Sequence, residues 1–233
     1  LHGTDITLVG RERTFADVVS WSINNSDSVT AVSESLKQET LEHFKINREI
    51  DVVPNFIDFD RFNKKPRDHF KTAIAPAGEK LLVHTSNFRK VKRVEDVVEV
   101  FAKVFPSIPS KLLLIGDGPE RSNIEQKCRE LSMCDHIIFM GKQEAVEEIL
   151  SVCDLFILPS EKESFGLSAL EAMACEVPVI SSNTGGLPEV NIHGKTGFMA
   201  LVDAETKTIL STITKASDAK AITTQITNAI TTA

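Results

Sequence analysis

The chain has 233 residues, enough for one large or two small domains, and its hydrophobic share of 42% is ordinary for a globular protein. Acidic residues outnumber basic ones by 33 to 26, and the net charge of −7 argues against a general nucleic-acid-binding surface or an anionic-membrane surface. No apolar run approaches the length that crosses a bilayer, so we expect no membrane segment.

The cysteines indicate a reducing environment. None of the four, at positions 128, 134, 153 and 175, shows the C-x2-C spacing of a structural zinc site. They occur in apolar or helical stretches, which is typical of reduced thiols. We therefore predict a cytoplasmic protein without a structural zinc ion.

Residues 1–55 are predicted to be the last part of an α/β domain. They begin inside a polar turn, HGTD at residues 2–5, and not with Met, so we expect a longer chain to precede them. Apolar spacing predicts a helix over 14–25 and short strands over 28–32 and 50–53, and Ser33 is a good N-cap for a helix through residue 44. His2 could lie at the mouth of a cleft or could belong to an ordinary turn.

A hinge is predicted at residues 54–58, where Pro54 ends a strand and polar residues follow. Just after it, Asp58 and Asp60 form a D-x-D spacing, which can hold a divalent metal on a diphosphate. So short a motif often arises by chance, and nothing around it supports a metal site. We therefore predict no bound metal.

Strands and helices alternate from residue 80 to residue 198, which predicts a doubly wound parallel α/β sheet. The apolar runs place its strands at 80–87, 112–115, 137–140, 155–158 and 177–180. The threonine-rich residues 203–233 are a poor composition for a packed helix, and they are predicted to form an atypical helical tail.

A basic loop follows the first of these strands. Its four cations, in the run FRKVKR at residues 88–93, lie between a strand and a helix. Cations in this position can grip a diphosphate through charge-assisted hydrogen bonds. A basic run is more often a solvated face, but its place between strand and helix favours a site.

The strand at 155–158 leads into a charged loop and then into a helix that begins near Leu167. A helix start presents free N–H groups and positive dipole charge to a phosphate, and Gly166 lets an anion approach the backbone. Glu163 and Glu171 bracket this corner and can accept hydrogen bonds from hydroxyls. The corner suits a nucleotide sugar, which has a central diphosphate and hydroxyl-rich ends. Alternatively, Glu163 complements the helix dipole and Glu171 is a solvated surface residue.

The run ESFG at 163–166 followed by Glu171 resembles the E-x7-E signature of the retaining GT-B glycosyltransferases of family 4. The motifs HGTD, SNFRKVK, GDGPE, SEKESFG-x4-E and GGLPE also occur in the order that the family shows. This resemblance implies that Glu163 contacts the donor sugar as a catalytic residue and that Glu171 binds the nucleotide ribose. The loop between them would contact the donor diphosphate through Ser164, Phe165, Gly166 and Leu167.

The resemblance also assigns residues in the basic loop. Lys92 matches the lysine of the family's G-R-x-x-x-x-K element and is expected to bind the phosphates as a catalytic residue. Asn87 stands where the family has arginine, and Arg89, two positions later, is expected to supply that contact.

Other assignments fall at the two ends of the site. Gly141 and Lys142 would face the nucleotide base. His2 would lie near the transferred sugar as a catalytic residue, with Gly3 and Thr4 on the acceptor side.

The resemblance implies a GT-B fold in which residues 1–55 are the remnant of an acceptor-side Rossmann-like domain and residues 56–202 form the nucleotide-sugar-binding domain. It implies transfer of N-acetylglucosamine from UDP-N-acetylglucosamine to L-malate, the first step of bacillithiol biosynthesis, without a cofactor or an essential metal. We expect a chain of this length to bind UDP but to transfer almost no sugar.

Three questions stay open at this stage. The acceptor could instead be an inositol phosphate or a lipid. The chain could be a non-catalytic nucleotide-sugar-binding module. Whether the protein forms a homo-oligomer is also open.

Overall fold

The computed structural model describes residues 1–7, 12–66, 68–193 and 195–200 of the chain. The predicted tail at 203–233 lies outside these residues. In the first segment (residues 1–55), helices and short strands alternate as the apolar spacing predicts. Its elements are α1 (Thr4–Thr7), α2 (Arg13–Asn24), β1 (Thr30–Ala31), α3 (Glu34–His43) and β2 (Asp51–Val52).

Two details of the first segment follow from side-chain hydrogen bonds. The turn expected at residues 2–5 leads into a single helical turn, at whose start the Asp5 carboxylate accepts a hydrogen bond from the Gly3 amide at 2.7 Å. Ser33 caps α3 as predicted, because its hydroxyl accepts a hydrogen bond from the Leu36 amide at 3.0 Å. The strands β1 and β2 pair in parallel.

The second segment (residues 56–200) contains all the strands predicted in it, with ends shifted by at most two residues. Its strands are β3 (Lys80–Ser86), β4 (Ser110–Gly116), β5 (Ile137–Gly141), β6 (Leu155–Leu158), β7 (Val179–Ser182) and β8 (Gly197–Ala200). Its helices are α4 (Asp68–Ile74), α5 (Val94–Val104), α6 (Arg121–Glu130), α7 (Val146–Leu150), α8 (Leu167–Ala174) and α9 (Leu187–Val190).

The six strands of the second segment form one parallel sheet in the order β5-β4-β3-β6-β7-β8 within the described residues. Numbered from the first strand of the sheet, this is the doubly wound order 3-2-1-4-5-6. The order reverses between β3 and β6, where Leu82 pairs with Leu155 and Val83 with Phe156. In such sheets ligands bind outside the carboxyl ends of the strands at this switch point.

The central strands are apolar on both sides because helices cover both faces of the sheet. On one face, residues such as Leu82, Leu112 and Ile157 pack with α5 and α6 in one buried cluster. On the other face, Val83 and Phe156 pack with α7 and α8. Adjacent residues of a strand therefore enter opposite clusters, as the period-two geometry of a strand requires.

Helix α4 was not predicted, and it is held to the sheet by a buried carboxylate. Lys71 of α4 lies 2.9 Å from both oxygens of Asp154, just before β6. The same carboxylate accepts a hydrogen bond from the Leu81 amide at 2.8 Å. Asp154 therefore holds α4, β3 and β6 together.

None of the helices in the described ranges is long and apolar enough to cross a membrane.

The first segment packs against the second through a third hydrophobic cluster. Ile6, Ile23, Leu36 and other apolar residues of the first segment surround the Phe165 side chain, which is buried. Phe165 belongs to the loop that follows β6. The loop expected to contact a phosphate therefore also anchors the first segment.

We predict that Phe156→Ala lowers the free energy of unfolding by about 3–5 kcal/mol, because the ring is fully buried in a central strand. Phe56→Ala is the matched control, since Phe56 is 90% exposed and its loss should cost less than about 0.5 kcal/mol. Urea unfolding of both variants measures the difference. Equal losses would show that β6 does not lie at the centre of the sheet.

Candidate functional site

Two loops meet at the switch point, the β3 loop (residues 87–93) and the β6 loop (residues 159–166). A backbone hydrogen bond of 2.8 Å from the Glu161 amide to the Val91 carbonyl joins them. A side-chain ion pair joins them again, with Lys92 Nζ 2.6 Å from Glu163 Oε2. The strand order therefore brings together a cation and a carboxylate that are 71 residues apart in sequence.

The Lys92–Glu163 pair is only partly screened by water. The two side chains retain 20% and 15% exposure, so their attraction is stronger than that of a surface pair. An anionic ligand that reached Lys92 would compete with Glu163 for its protons. A ligand carrying both an anion and hydroxyl groups would satisfy both partners, because the freed carboxylate can accept from the hydroxyls.

A buried histidine supports the β3 loop from below. His84 is fully buried, and its Nδ1 lies 2.8 Å from the Ile157 carbonyl oxygen, which can only accept, so Nδ1 carries the proton. Its Nε2 then accepts a hydrogen bond from the Ser86 hydroxyl at 2.8 Å. The Ser86 oxygen in turn accepts from the Phe88 amide at 3.3 Å. This chain fixes the start of the β3 loop, where Phe88 adopts a φ of 36°.

The GDGPE turn after β4 also supports the β3 loop. A Cβ at Gly116 or Gly118 would overlap the backbone of residues 86–88, so only glycine fits at these two positions. The Glu120 amide donates to the Phe88 carbonyl at 3.0 Å. The turn therefore packs beneath the loop and does not line the cavity described below.

The β6 loop ends at Gly166, which has a φ of 98° and precedes the first residue of α8. The first turn of a helix has backbone N–H groups without intrahelical partners. Gly166 and Leu167, at the start of α8, line the cavity described below. Leu187 of α9 packs against Gly166 so closely that a Cβ there would overlap its side chain. The Gly186 amide donates to the Glu163 carbonyl at 2.9 Å, which fixes the loop from the opposite side.

A cavity of about 750 Å³ opens between these loops and the first segment. Nine of the predicted site residues line it together, namely His2, Asn87, Arg89, Lys92, Glu163, Ser164, Phe165, Gly166 and Leu167. Thr4, predicted on the acceptor side, lines it too. Gly3 does not line the cavity but packs against the Ser164 side chain, where a Cβ would overlap Ser164 Oγ.

Besides Gly3, three predicted residues lie outside this cavity, namely Gly141, Lys142 and Glu171. Gly141 ends β5, two strands from the switch point on the same edge of the sheet. With parallel strands about 4.8 Å apart, this position is roughly 10 Å from the end of β3.

Glu171 lies on α8 in a second charged group with Arg61 and Glu147. Arg61 Nη2 is 3.0 Å from Glu147 Oε2 and 2.6 Å from the Glu144 carbonyl. Partial burial raises the pKa of the Glu171 carboxyl, and the positive charge of Arg61 opposes that rise. This group is therefore a candidate to receive polar groups of a ligand that extends beyond the cavity.

The D-x-D residues have a structural role in the hinge. The Asp58 carboxylate accepts hydrogen bonds from the Asp60 and Arg61 amides at 2.9 Å and 3.3 Å, which fixes the turn that presents Arg61. Within the described residues, no group of three or more His, Cys, Asp or Glu side chains is arranged to hold a metal ion.

Sequence reasoning missed one wall of the cavity, the face of α3. Four of the six α3 residues that line it, Ser35, Gln38, Glu39 and Glu42, follow the i, i+3, i+4, i+7 spacing of a single helix face. That spacing was visible in the sequence as a polar stripe, but a polar stripe is usually a solvated face. Only the packing of α3 across the β6 loop turns it toward a cavity.

The doubly wound sheet and the two loops at its switch point are typical of a GT-B glycosyltransferase domain, and comparison with known sequences gives the family. The chain belongs to the glycosyltransferases, because the family described as Glycosyl transferases group 1 matches residues 65–229. A second family description, Glycosyltransferase Family 4, matches residues 1–61. The resemblance inferred from the sequence motifs is confirmed.

Among individual relatives, the chain is 49% identical over 203 residues to the N-acetyl-alpha-D-glucosaminyl L-malate synthase of Bacillus anthracis, covering 87% of this chain and 53% of that protein. It is 30% identical over 191 residues to the D-inositol 3-phosphate glycosyltransferase of Mycolicibacterium smegmatis, covering 78% of this chain and 43% of that protein. The chain thus spans about half the length of the curated relatives it matches.

Solved structures agree on the fold. Anabaena Alr3699/HepE, determined in complex with UDP and glucose, superposes with a TM-score of 0.79 at 22% identity, covering all of this chain and 68% of that one. Staphylococcus aureus TarM superposes with a TM-score of 0.71 at 20% identity, covering 94% of this chain and 41% of that one. The predicted GT-B fold class is confirmed.

We predict that His84 makes the protein less stable as pH falls from about 6.5 to 4. Burial is the main cause that lowers the pKa of His84 from 6.5 to about 4 in the folded state. Between these values the unfolded chain binds a proton that the folded chain does not, so the free energy of unfolding falls with pH and the penalty is complete below pH 4.

Asp96 has the opposite effect on stability, because burial raises the pKa of its carboxyl to about 6, and the folded state therefore binds a proton before the unfolded state does as pH falls. The effect of His84 is therefore measured against His84→Asn, which keeps a donor for the Ile157 carbonyl. Between pH 7 and pH 5, urea unfolding should show the wild type losing roughly 2 kcal/mol more than the variant. Parallel losses would show that His84 is not a neutral buried side chain.

Proposed function

We propose that this chain is the donor-binding part of a retaining glycosyltransferase that transfers N-acetylglucosamine from its UDP donor to the hydroxyl of L-malate. The observation that carries the donor assignment is the meeting of Lys92, Glu163 and the start of α8 at one switch point. The acceptor assignment is supported by the 49% identity to the L-malate synthase.

The charges of the site fit a nucleotide sugar. Lys92 and the first-turn amides of α8 would bind the diphosphate, since an anion at a helix start interacts favourably with both the N–H groups and the dipole. Arg89 adds a second cation on the wall of the cavity, where the residue is exposed. Glu163, released from Lys92 by the phosphate, would accept hydrogen bonds from the sugar hydroxyls.

The remaining predicted contacts fit a donor that extends along the carboxyl edge of the sheet. The ribose would lie over α8, where Glu171 accepts hydrogen bonds from its hydroxyls. The base would reach the end of β5, where a Cβ on Gly141 would meet no atom within 4 Å and the backbone is therefore open to a flat ring. Lys142 is exposed beside it.

Transfer with retained configuration would proceed by attack of the acceptor hydroxyl on the same face of the sugar that the diphosphate leaves. The departing phosphate oxygen takes the proton of that hydroxyl. Lys92 and the α8 amides stabilise the negative charge that develops on the diphosphate, which is electrostatic catalysis by groups already in place. His2 and Thr4 of the first segment also line the cavity, and the acceptor would approach from there.

The acceptor is tested by an assay with UDP-N-acetylglucosamine and either L-malate, D-inositol 3-phosphate or no acceptor. The assay is run on the 233-residue chain and on the complete reading frame in which these residues occur, with mass spectrometry of the products. We expect N-acetylglucosaminyl malate as the only glycosylated product, formed by the complete reading frame and almost not at all by the 233-residue chain. Glycosylation of D-inositol 3-phosphate, with no glycosylation of malate, would indicate an inositol phosphate acceptor instead. Donor binding without any transfer by either protein would indicate a binding module.

We predict that Glu171→Ala weakens UDP binding by roughly 1–3 kcal/mol, the range for hydrogen bonds to a charged group. The same variant should bind UDP and 2′-deoxy-UDP equally, whereas the wild type should prefer UDP. Isothermal titration calorimetry measures both, with Glu130→Ala on α6 as the control. A preference for UDP that survives in Glu171→Ala would place the ribose elsewhere.

We predict that UDP affinity in excess EDTA stays within about twofold of its value with magnesium, because Lys92 and the α8 start take the place of a cation. Calorimetry in the two buffers measures this. Loss of binding in EDTA that magnesium or manganese restores would contradict the metal-free site. If Asp58→Asn then abolished the restoration, the D-x-D residues would be the metal ligands.

A further inference from the structure

The two segments are joined at a second place, beside the hydrophobic cluster around Phe165. Helix α3 of the first segment begins against the second segment, and its first two amides point at a carboxylate 155 and 154 residues away in sequence. The Glu34 amide donates to Glu189 Oε2 and the Ser35 amide to Glu189 Oε1, each at 2.9 Å. One carboxylate thus caps the start of α3 with both of its oxygens.

This capping is favourable for the reason that makes acids common at helix starts. The first N–H groups of a helix have no intrahelical partner, and negative charge there complements the dipole. Ser33 already satisfies the Leu36 amide, and Glu189 satisfies the two amides that remain nearest the helix start. The cap is unusual only in that half of it comes from the other segment.

Glu189 is itself held by the β6 loop. It follows Leu187, which is fully buried and packs on Gly166. Gly186 lies against the backbone of Ser164, and its amide donates to the Glu163 carbonyl. The β6 loop therefore determines where the Glu189 carboxylate stands.

A third hydrogen bond also connects the start of α3 to the β6 loop. The Ser33 hydroxyl donates to the Ser164 carbonyl at 2.6 Å, 131 residues away in sequence. The start of α3 is thus tied to the β6 loop directly through Ser33 and indirectly through Glu189. The direct tie ends on Ser164, next to Glu163, and the indirect tie reaches the Glu163 carbonyl through Gly186. Glu163 is the residue that contacts the donor sugar in the proposed function.

We propose that Glu189 is a positioning residue that fastens the α3 wall of the cavity to the β6 loop, so that the wall becomes more tightly held when a nucleotide binds that loop. Ser35, Gln38 and Glu39 line the cavity from α3, and their distance from the donor depends on where the helix starts. Ordering of the β6 loop by a diphosphate orders residues 185–189, and through Glu189 it orders the start of α3.

This inference rests on the proposed function for its ligand but not for the contact itself. Hydrogen exchange of the Glu34 and Ser35 amides, followed by mass spectrometry or NMR, reads the contact without any ligand. In Glu189→Ala these amides should exchange about tenfold faster than in the wild type, since each loses a charged acceptor. Amides of β4 should be unchanged, which serves as the internal reference for folding.

Adding UDP to the wild type should slow exchange at Glu34 and Ser35, and in Glu189→Ala this slowing should disappear while the β6-loop amides are still protected. Coupling between two sites is reciprocal. The free energy of UDP binding to the variant is therefore weakened by no more than the free energy of UDP-dependent protection that α3 loses. Glu189→Gln keeps one neutral acceptor and should give an intermediate result, and Glu49→Ala, at an exposed site of the first segment, should match the wild type.

Exchange that is the same in Glu189→Ala and in the wild type would overturn the contact. UDP protection of α3 that persists in Glu189→Ala would overturn the positioning role. If UDP protected no amide of the β6 loop in the wild type, the proposed function would fail, and the exchange measured without UDP would still decide whether Glu189 holds the helix.

Discussion

The position of β6 beside β3 is the constraint on which the site depends. Because the strand order reverses between them, the two loops leave the sheet at the same point and their side chains meet. The Lys92–Glu163 ion pair, at 2.6 Å, is the direct result. In the absence of a ligand it keeps a partly buried cation and carboxylate from remaining unpaired, which would be costly. The same pair can be opened by a ligand that offers an anion to one partner and hydroxyls to the other.

The first segment is attached to that site and not merely adjacent to it. Phe165 lies in the hydrophobic cluster of the first segment and also lines the cavity. Ser33 and Glu189 add polar ties on either side of it. The β6 loop therefore has two roles, since it contacts the ligand site and carries the wall that faces the ligand. A change in the conformation of this loop would therefore move residues on both sides of the cavity.

Much of this was predictable from the sequence, because apolar runs and glycine-marked turns are local signals. The strands from β3 to β7 and the helix start after Gly166 followed from them, and the order of the motifs identified the family. What could not be predicted depends on contacts between distant residues. The α3 wall, the Glu189 cap and the Asp154 brace join residues between 73 and 155 positions apart. The periodicity of apolar residues reports only on neighbouring positions and carries no information about contacts between such distant residues. A polar stripe on a helix has the same sequence pattern whether it faces water or a cavity.

The central claim is that a diphosphate binds between Lys92 and the start of α8. Lys92→Met tests it most directly, with Lys90→Met as a matched control because Lys90 belongs to the same 3₁₀ turn but does not line the cavity. Calorimetry should show UDP affinity reduced about tenfold or more in Lys92→Met and nearly unchanged in Lys90→Met, since a charge-assisted hydrogen bond contributes roughly 1.5–3 kcal/mol and Glu163 is left facing the phosphate. Uridine, which has no phosphate, should bind both variants like the wild type. Equal UDP affinity in the two lysine variants would contradict the account.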